Sequence, residues 1–242
     1  MSPALVPARR LDAELMDRLD NAPSDLAGAL DDIRTVNRFL RGSKILADAV
    51  EPYLRDQRPG ETLSVLDVGT GGADLPLELV ARARKAGRAI RIQAVDRDPA
   101  VLDYARQRVG RTPEVELCRA DAWELPFPPA SFDLVTASMF LHHFNHGEAA
   151  RLLARFRRIA RRAVLINDLR RHLVPWAFIG LAARATRRHA MFVHDAPLSV
   201  LRGFTVDELR AIARDAGAPG ASVRRAFPFR LVLTLPAAEP VS

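Results

Sequence analysis

A glycine-rich turn between two apolar runs is the part of this sequence most able to bind a small ligand. Residues 63–68 form an apolar run typical of a buried strand, and the glycines within 69–72 let the backbone turn tightly beneath a ligand. Apolar positions at helical spacing follow in 75–83, so the amide groups of a helix N-terminus would face that ligand. A lone glycine turn could serve backbone geometry alone. Asp96, however, ends a second apolar run where an acidic residue typically binds ribose hydroxyls, and this predicts a nucleotide-type cofactor site.

The segments after Asp96 distinguish this site from that of a dehydrogenase, which would share the turn and the acid. They read Arg-Ala-Asp-Ala at 119–122, Trp-Glu-Leu-Pro-Phe at 123–127, Ser-Phe-Asp-Leu-Val at 131–135 and Ser-Met-Phe-Leu-His-His-Phe at 138–144. In this order they resemble class I S-adenosylmethionine-dependent methyltransferases. The likeness is greatest to the branch of the ubiquinone and menaquinone biosynthesis methyltransferases and related small-molecule enzymes, and it covers about residues 60–170.

The resemblance implies an α/β fold of the Rossmann-like methyltransferase type. Its sheet would have seven mostly parallel strands with an antiparallel last strand, beside an N-terminal helical cap. In that family the glycine turn holds the methionine moiety of S-adenosylmethionine, the acid after strand two binds the ribose, and an Asp-Ala pair after strand three brackets the adenine. One departure is Ala73, where many members carry a third glycine. The cofactor-binding residues implied here are Asp67, Gly69, Thr70, Gly71, Asp74, Asp96, Arg97, Asp121, Ala122, Trp123 and Ser138.

The remaining elements suggest a cap and one larger domain. Apolar residues at helical spacing within 26–36 predict a helical cap or lid over residues 1–58, which could also serve packing alone. Residues 59–242 would form the methyltransferase domain, with a substrate-pocket insertion around 170–204. Within this domain we expect a fifth strand at 163–166 and a helix over 204–217 that begins with a Thr205 and Glu208 capping box.

The chemistry of methyl transfer requires a nucleophile that is aligned and deprotonated. His143, just beyond the predicted fourth strand, is the first candidate for the general base toward a phenol, and His142 is the second. One histidine of this tandem could instead support the loop. His194 is an alternative base, because the adjacent Asp195 could orient it, although an ordinary surface loop would look the same.

Three polar residues are candidates for lining the substrate site. Asn37 lies near the end of the predicted cap, Asp168 follows the fifth strand, and Asp195 lies in the insertion. His142, His143 and His146 could suggest a metal site, but no matching carboxylate or cysteine set accompanies them in the sequence. We therefore predict no bound metal.

The predicted function is O-methylation of a small, fairly apolar acceptor such as a phenolic, polyketide-derived or quinone-precursor ring. C-methylation of such a ring is the alternative, because a phenolate activates its ortho carbons as well as its oxygen. An RNA methyltransferase and a cofactor-binding protein without activity are hypotheses from other classes. Acceptor identity and oligomeric state are not readable from the sequence.

The charge and composition bear on partners and location. The net charge is +7, but almost all the cations are arginines spread along the chain, and no aromatic and basic RNA-binding module is present, so nucleic acid is not the favoured partner. The densest basic patch, within 155–162, is typical of the solvated face of an amphipathic helix. Residues 173–182 are apolar nearly all round, which favours a pocket wall but leaves a weak membrane-surface contact open. With a single cysteine, Cys118, no signal-like stretch in 1–11 and no bilayer-spanning run, we expect a cytoplasmic protein.

Overall fold

Seven strands form one sheet in the order β3-β2-β1-β4-β5-β7-β6. The structure is a computed structural model that describes residues 6–17, 23–185 and 189–239. Strand β7 is antiparallel to both of its neighbours, whereas the other pairs are parallel. This confirms the predicted sheet with its antiparallel last strand. The strands are β1 (Thr62–Val68), β2 (Ala89–Asp96), β3 (Val115–Arg119), β4 (Phe132–Ser138), β5 (Ala160–Leu169), β6 (Ser222–Ala226) and β7 (Arg230–Pro236).

Helices cover both faces of the sheet, as the apolar central strands require. One layer of the core contains residues of α5 and α8, and the other contains residues of α2, α3 and α4. Short 3-10 turns occur at Leu15–Asp17, Ala122–Glu124 and Leu141–His143. The α-helices in the described residues are α1 (Pro23–Phe39), α2 (Gly42–Arg55), α3 (Asp74–Lys85), α4 (Pro99–Val109), α5 (His146–Ile159), α6 (Leu173–Ala185), α7 (Ala190–Arg202) and α8 (Val206–Asp215).

Strand β5 and helix α8 differ from their predicted bounds for physical reasons. β5 is longer than 163–166 because β4 pairs with its start and β7 pairs with it as far as Leu169. The arginines 161 and 162 therefore lie on this strand and not on the preceding helix. Helix α8 is shorter than 204–217, but the predicted capping box of Thr205 and Glu208 is present. Cys118 lies in β3, as expected.

The helices of the predicted cap pack in two different ways. Leu26 and Leu30 of α1 contact Val101 of α4, above the carboxyl ends of the strands. In contrast, α2 contributes Leu46 and Val50 to the core beneath the sheet. The division at residue 58 stays a prediction, and the packing assigns the role of a cover to α1 more than to α2.

The predicted insertion consists of α6 and α7, which pack against each other. Phe178 and Leu181 of α6 are 66% and 72% exposed, whereas Phe192 of α7 is buried. Among the residues that the structure describes, no helix has both the length and the apolar character needed to cross a membrane. The side chains of residues 184–188 lie outside the described part of the chain.

Candidate active site

A cavity of about 450 Å³ lies at the carboxyl ends of the central strands. Its size is typical of a site for a cofactor together with a small substrate. Open α/β sheets bind their ligands at this edge, where the strand order reverses. Helices α1 and α7 form the far wall, opposite the strand ends. All the predicted cofactor-binding residues line the cavity, namely Asp67, Gly69, Thr70, Gly71, Asp74, Asp96, Arg97, Asp121, Ala122, Trp123 and Ser138.

The glycine turn presents open backbone to the cavity. Gly71 has a φ of 53°, and no heavy atom lies within 4 Å of the position that a Cβ would occupy there. A side chain at Gly71 would therefore project into the ligand space. Ala73, at the position of the family's usual third glycine, has a φ of 57° and is buried just before α3. Alanine thus adopts the left-handed conformation here, at a backbone cost of about 1 kcal/mol.

Asp96 is held in place by backbone amides at the end of β2. Its carboxylate accepts hydrogen bonds from the amide of Gly71 at 3.0 Å and from the amide of Asp98 at 3.2 Å. Burial raises the pKa of Asp96. Asp67, at the end of β1, accepts from Thr136 Oγ1 at 2.8 Å, and burial raises its pKa to about 6. The site therefore joins the glycine turn to an acid that can accept from ligand hydroxyls.

A third part of the cavity follows β3. Asp121 accepts from the amide of Trp123 at 2.9 Å and so begins the short turn Ala122–Glu124. The ring of Trp123 stands edge-on to Phe144, with 5.8 Å between centroids. The Trp123 and Phe144 rings form an apolar wall, and the Asp121 carboxylate beside it can accept hydrogen bonds. A bound heteroaromatic ring requires both.

His142 is buried between two carboxylates. Its Nδ1 lies 2.7 Å from Asp168 Oδ1, and its Nε2 lies 3.6 Å from Glu14 Oε1. Burial opposes the charged ring, but Asp168 and Glu14 outweigh it and raise the pKa of His142 to about 9. The ring is therefore an imidazolium at neutral pH, which cannot accept a proton. This electrostatic state favours a positioning role for His142 over the role of a base.

Glu14 is a site residue that the sequence did not reveal. It is buried, its carboxylate accepts from Ser199 Oγ at 2.8 Å, and His142 holds its pKa below the usual range against the effect of burial. Its carboxylate and the rings of His142 and His143 have nitrogen and oxygen atoms within 4.8 Å of one another. The sequence indicated no carboxylate to accompany the histidines, but the folded chain places Glu14 beside them, and these three residues could ligate a cation. The absence of a bound metal stays a prediction.

His143 lines the cavity directly after His142. The two imidazole rings lie 4.3 Å apart between centroids, and His143 is half-buried. Its ring therefore faces the ligand space while Glu14 lies close by. Of the three predicted bases, His142 and His143 line the cavity, and the role of His143 as a base stays a prediction.

The His194 and Asp195 pair is divided between two surfaces. His194 Nδ1 lies 2.7 Å from Asp195 Oδ1, as predicted, but the His194 ring is 54% exposed and lines a separate groove beside Trp176 of α6. Asp195 is buried, lines the cavity, and accepts from the amides of Leu15 and Met16 at 2.9 and 3.0 Å. The structure therefore brings Asp195 to the site but not His194.

The other predicted substrate residues are also separated. Asn37 of α1 lines the cavity. Asp168 is fully buried behind His142, accepting from the amides of His142 and Leu169 at 3.0 and 2.7 Å. Asp168 thus contacts the histidine and not the ligand space.

Arginines clamp residues 6–17, here named the N-terminal strap, across the histidine pair. Arg9 Nε donates to the carbonyl of Arg202 at 2.8 Å, and Arg202 Nη1 donates to the carbonyl of Asp12 at 2.7 Å. Arg171 Nε donates to the carbonyl of Pro7 at 2.9 Å. These bonds fix the segment that carries Glu14 into the cavity.

Comparison with known proteins finds matches to the central part of the chain. Residues 65–163 match the family model described as "Methyltransferase domain". The chain is 40% identical over 108 residues to the demethylmenaquinone methyltransferase of Deinococcus radiodurans, which covers 42% of this chain and 43% of that protein. It is 37% identical over 107 residues to the ubiquinone/menaquinone biosynthesis C-methyltransferase UbiE of Cupriavidus taiwanensis, which covers 43% of this chain and 40% of that protein. The chain thus spans less than half the length of these relatives.

Solved structures show the same fold. A SAM dependent methyltransferase from Aquifex aeolicus aligns with a TM-score of 0.55 and 17% identity over 90% of this chain and 100% of the other. Human N-acetylserotonin methyltransferase aligns with a TM-score of 0.64 and 13% identity over 90% of this chain and 57% of the other. At such identities the likeness concerns the fold alone. The family resemblance drawn from the motifs is confirmed for the segment that carries them.

Proposed function

We propose that this chain, whose residues 65–163 form a methyltransferase domain, transfers a methyl group from S-adenosylmethionine to a small aromatic acceptor. The observation that carries the proposal is one cavity that joins the glycine turn and Asp96 to His143. The printed names of the relatives, a demethylmenaquinone methyltransferase and a ubiquinone/menaquinone biosynthesis C-methyltransferase, support an aromatic and lipid-like acceptor.

The residues of the cavity fit S-adenosylmethionine. The open backbone at Gly71 leaves room that a Cβ would fill, and the Asp96 carboxylate is fixed beside it to accept from ribose hydroxyls. Asp121 and Trp123 offer an acceptor and an apolar face to the adenine. When bound, the cofactor supplies an activated methyl group. The protein then needs to align the acceptor and to remove its proton.

In our proposal His143 takes the proton from an acceptor hydroxyl. The proton moves from the phenolic oxygen to a ring nitrogen of His143 and leaves a phenolate as the nucleophile. The Glu14 carboxylate, close to both rings, stabilises the positive charge that His143 gains. His142, already charged, keeps Glu14 and Asp168 in place. In this proposal the N-terminal strap and α1, whose residues line the cavity, exclude water from the bound acceptor.

Oxygen is the acceptor atom that we expect first, and a ring carbon is the alternative. The same phenolate is nucleophilic at its oxygen and at its ortho carbons, so one base serves both reactions. The printed name of the C. taiwanensis relative, a C-methyltransferase, favours carbon. Locating the methyl group on the product decides between them.

The arginine contacts favour a small molecule over RNA. Arg161 pairs with Asp133, and Arg162 pairs with Asp56, at 3.0 and 2.7 Å. Arg157 donates to the carbonyls of Ala216 and Pro236. Much of the basic patch therefore binds the protein itself. An RNA methyltransferase and a cofactor-binding protein without activity remain as the contrary outcomes of the test.

The test is incubation with labelled S-adenosylmethionine and a panel of phenols, quinols, polyketide-like rings and RNA, with mass spectrometry to place the methyl group. We expect label in a ring substrate. His143→Ala should slow transfer by about 100-fold or more, with cofactor binding by calorimetry unchanged. His146→Ala is the matched control, because that ring is 48% exposed, lies outside the cavity and contacts Asp215, and it should keep wild-type rates. Label in RNA, or none in any acceptor despite tight cofactor binding, would contradict the proposal.

We also propose that α6 makes a weak contact with an anionic membrane surface. Val174, Phe178 and Leu181 share one exposed apolar face of the helix, and Arg10 lines the groove next to it. The opposite side of α6 places Ile179 in the cavity, so a lipid-like acceptor would enter from that side. Phosphatidylglycerol vesicles should retain the wild type in flotation more than Phe178→Ser, and phosphatidylcholine vesicles should retain neither. Equal retention of both proteins would contradict this contact. A cytoplasmic location is part of the same proposal, to be checked by cell fractionation.

A further inference from the structure

A buried arginine points into the cavity on the side away from the glycine turn. Arg230 is the first residue of β7, where it pairs in register with Leu169 of β5. Its side chain lines the cavity although the residue is only 1% exposed. A guanidinium in such surroundings stays charged at neutral pH, because burial lowers the pKa of Arg230 only to about 10.

The partners of this guanidinium are neutral. Nη2 donates to Asn37 Oδ1 at 2.8 Å, and Nη1 contacts the sulfur of Met139. Nε is buried and has no acceptor among the described residues. A buried cation without an anion is expensive, since neither water nor a counter-charge replaces its hydration. The arrangement indicates that an anion from outside the protein completes it.

The nearest carboxylates of the site are already paired. Asp168 attracts the charge of Arg230 electrostatically, but its carboxylate is hydrogen-bonded to His142. Glu14 faces His142 and, at 3.8 Å, Arg202. These two carboxylates are thus paired with His142 and Arg202. Neither of them is bound to the guanidinium of Arg230 at the cavity wall.

We propose that Arg230 and Asn37 bind a carboxylate on the methyl acceptor. A guanidinium offers two parallel N–H groups that match the two oxygens of a carboxylate, and the Asn37 amide can donate a further bond. The acceptor is then an aromatic acid that also carries an ionisable hydroxyl group. The inference rests on the proposed function, since it names the class of acceptor for the same site.

The position of Arg230 favours the acceptor over the cofactor as the source of this carboxylate. In the sheet order β7 is three strands away from β1, which carries the glycine turn at its end. With strands about 4.8 Å apart, that separation is roughly 14 Å. The carboxylate of a methionine moiety held at the glycine turn is the competing source, and the experiment separates the two.

The experiment measures binding and does not need turnover. Protein saturated with S-adenosylhomocysteine is titrated in a calorimeter with 4-hydroxybenzoate and with 4-hydroxybenzamide, its neutral analogue. We expect the wild type to bind the acid at least about 10-fold more tightly than the amide. Arg230→Met should remove this preference while the affinity for the amide stays unchanged. Arg225→Met, which removes an exposed arginine of β6, is the matched control and should keep the preference.

A second variant tests the inference even if Arg230→Met does not fold. Asn37→Asp places a carboxylate beside Arg230, so this internal anion should suppress binding of the acid and leave cofactor binding intact. The inference is overturned if wild-type protein binds the acid no better than the amide. It is also overturned if Arg230→Met weakens cofactor binding in place of acid binding. Arg230-dependent binding of the acid without methyl transfer would support this inference and contradict the proposed function.

Discussion

His142 should make the protein less stable as the pH rises from 6.5 to about 9. The ordinary pKa of the ring is 6.5, and in the folded protein it is about 9. Because the folded pKa lies above the unfolded one, the folded state holds the proton more tightly. The resulting stabilisation is fully present below pH 6.5 and is lost as the pH passes through the folded pKa. A pKa difference of roughly 2.5 corresponds to about 3 kcal/mol of unfolding free energy.

Urea unfolding at a series of pH values measures this loss. Circular dichroism follows the transition, and linear extrapolation gives the unfolding free energy at each pH. His142→Gln should lower the stability at neutral pH and remove most of the slope between pH 6.5 and 9. His146→Gln is the matched control, because that ring is 48% exposed and contacts only the surface residue Asp215 within the described chain. It should retain the slope.

Two results would refute the reasoning. Wild-type stability that stays flat across this interval would mean that Asp168 and Glu14 do not hold a proton on the ring. An equal slope in the wild type and in His142→Gln would assign the dependence to another group.

Three further changes test the cofactor cradle and the strap. Asp96→Ala should weaken S-adenosylmethionine binding in calorimetry by about 1 to 3 kcal/mol, because ribose hydroxyls lose a charged acceptor and Gly71 loses its tether; an unchanged affinity would refute the ribose assignment. Gly71→Ala should lower cofactor affinity by at least about 10-fold, because the added methyl group would occupy ligand space. Gly87→Ala is the control: its φ is 62° and the space around it is equally open, so it introduces similar backbone strain away from the cavity and should bind the cofactor normally. Glu14→Gln should slow methyl transfer by about 10-fold or more with cofactor affinity unchanged, and equal rates would show that the carboxylate does not support His143.

The cofactor side of the site could be predicted because its signals are local in the chain. Each strand of the first half ends within a few residues of the polar group that it places in the cavity, as with Asp67 near the end of β1 and Asp96 at the end of β2. The order of the motifs then indicated the family resemblance, and the resemblance implied the sheet. Strand ends were less predictable, since β5 extends to Leu169 only because β7 pairs with it.

The acceptor side could not be read in the same way. Glu14 meets Ser199 across 185 positions, and Arg230 meets Asn37 across 193 positions. No periodicity or motif marks such pairs before the chain is folded. The predicted contact between His194 and Asp195 is present at 2.7 Å, but no local pattern indicates that His194 lines the groove while Asp195 lines the cavity.

The clamped strap makes completion of the cavity depend on the synthesis of α7. Arg9 lies 193 positions before Arg202, whose carbonyl it binds, so the strap lacks this contact until the end of α7 has been made. The family segment 65–163 is complete well before that point. Contacts of such long range are slow to form, because the chain must close a large loop before they stabilise it. A nascent chain that ends within β5 therefore contains the residues of the cofactor cradle but lacks the α7 residues that bind the strap and Glu14.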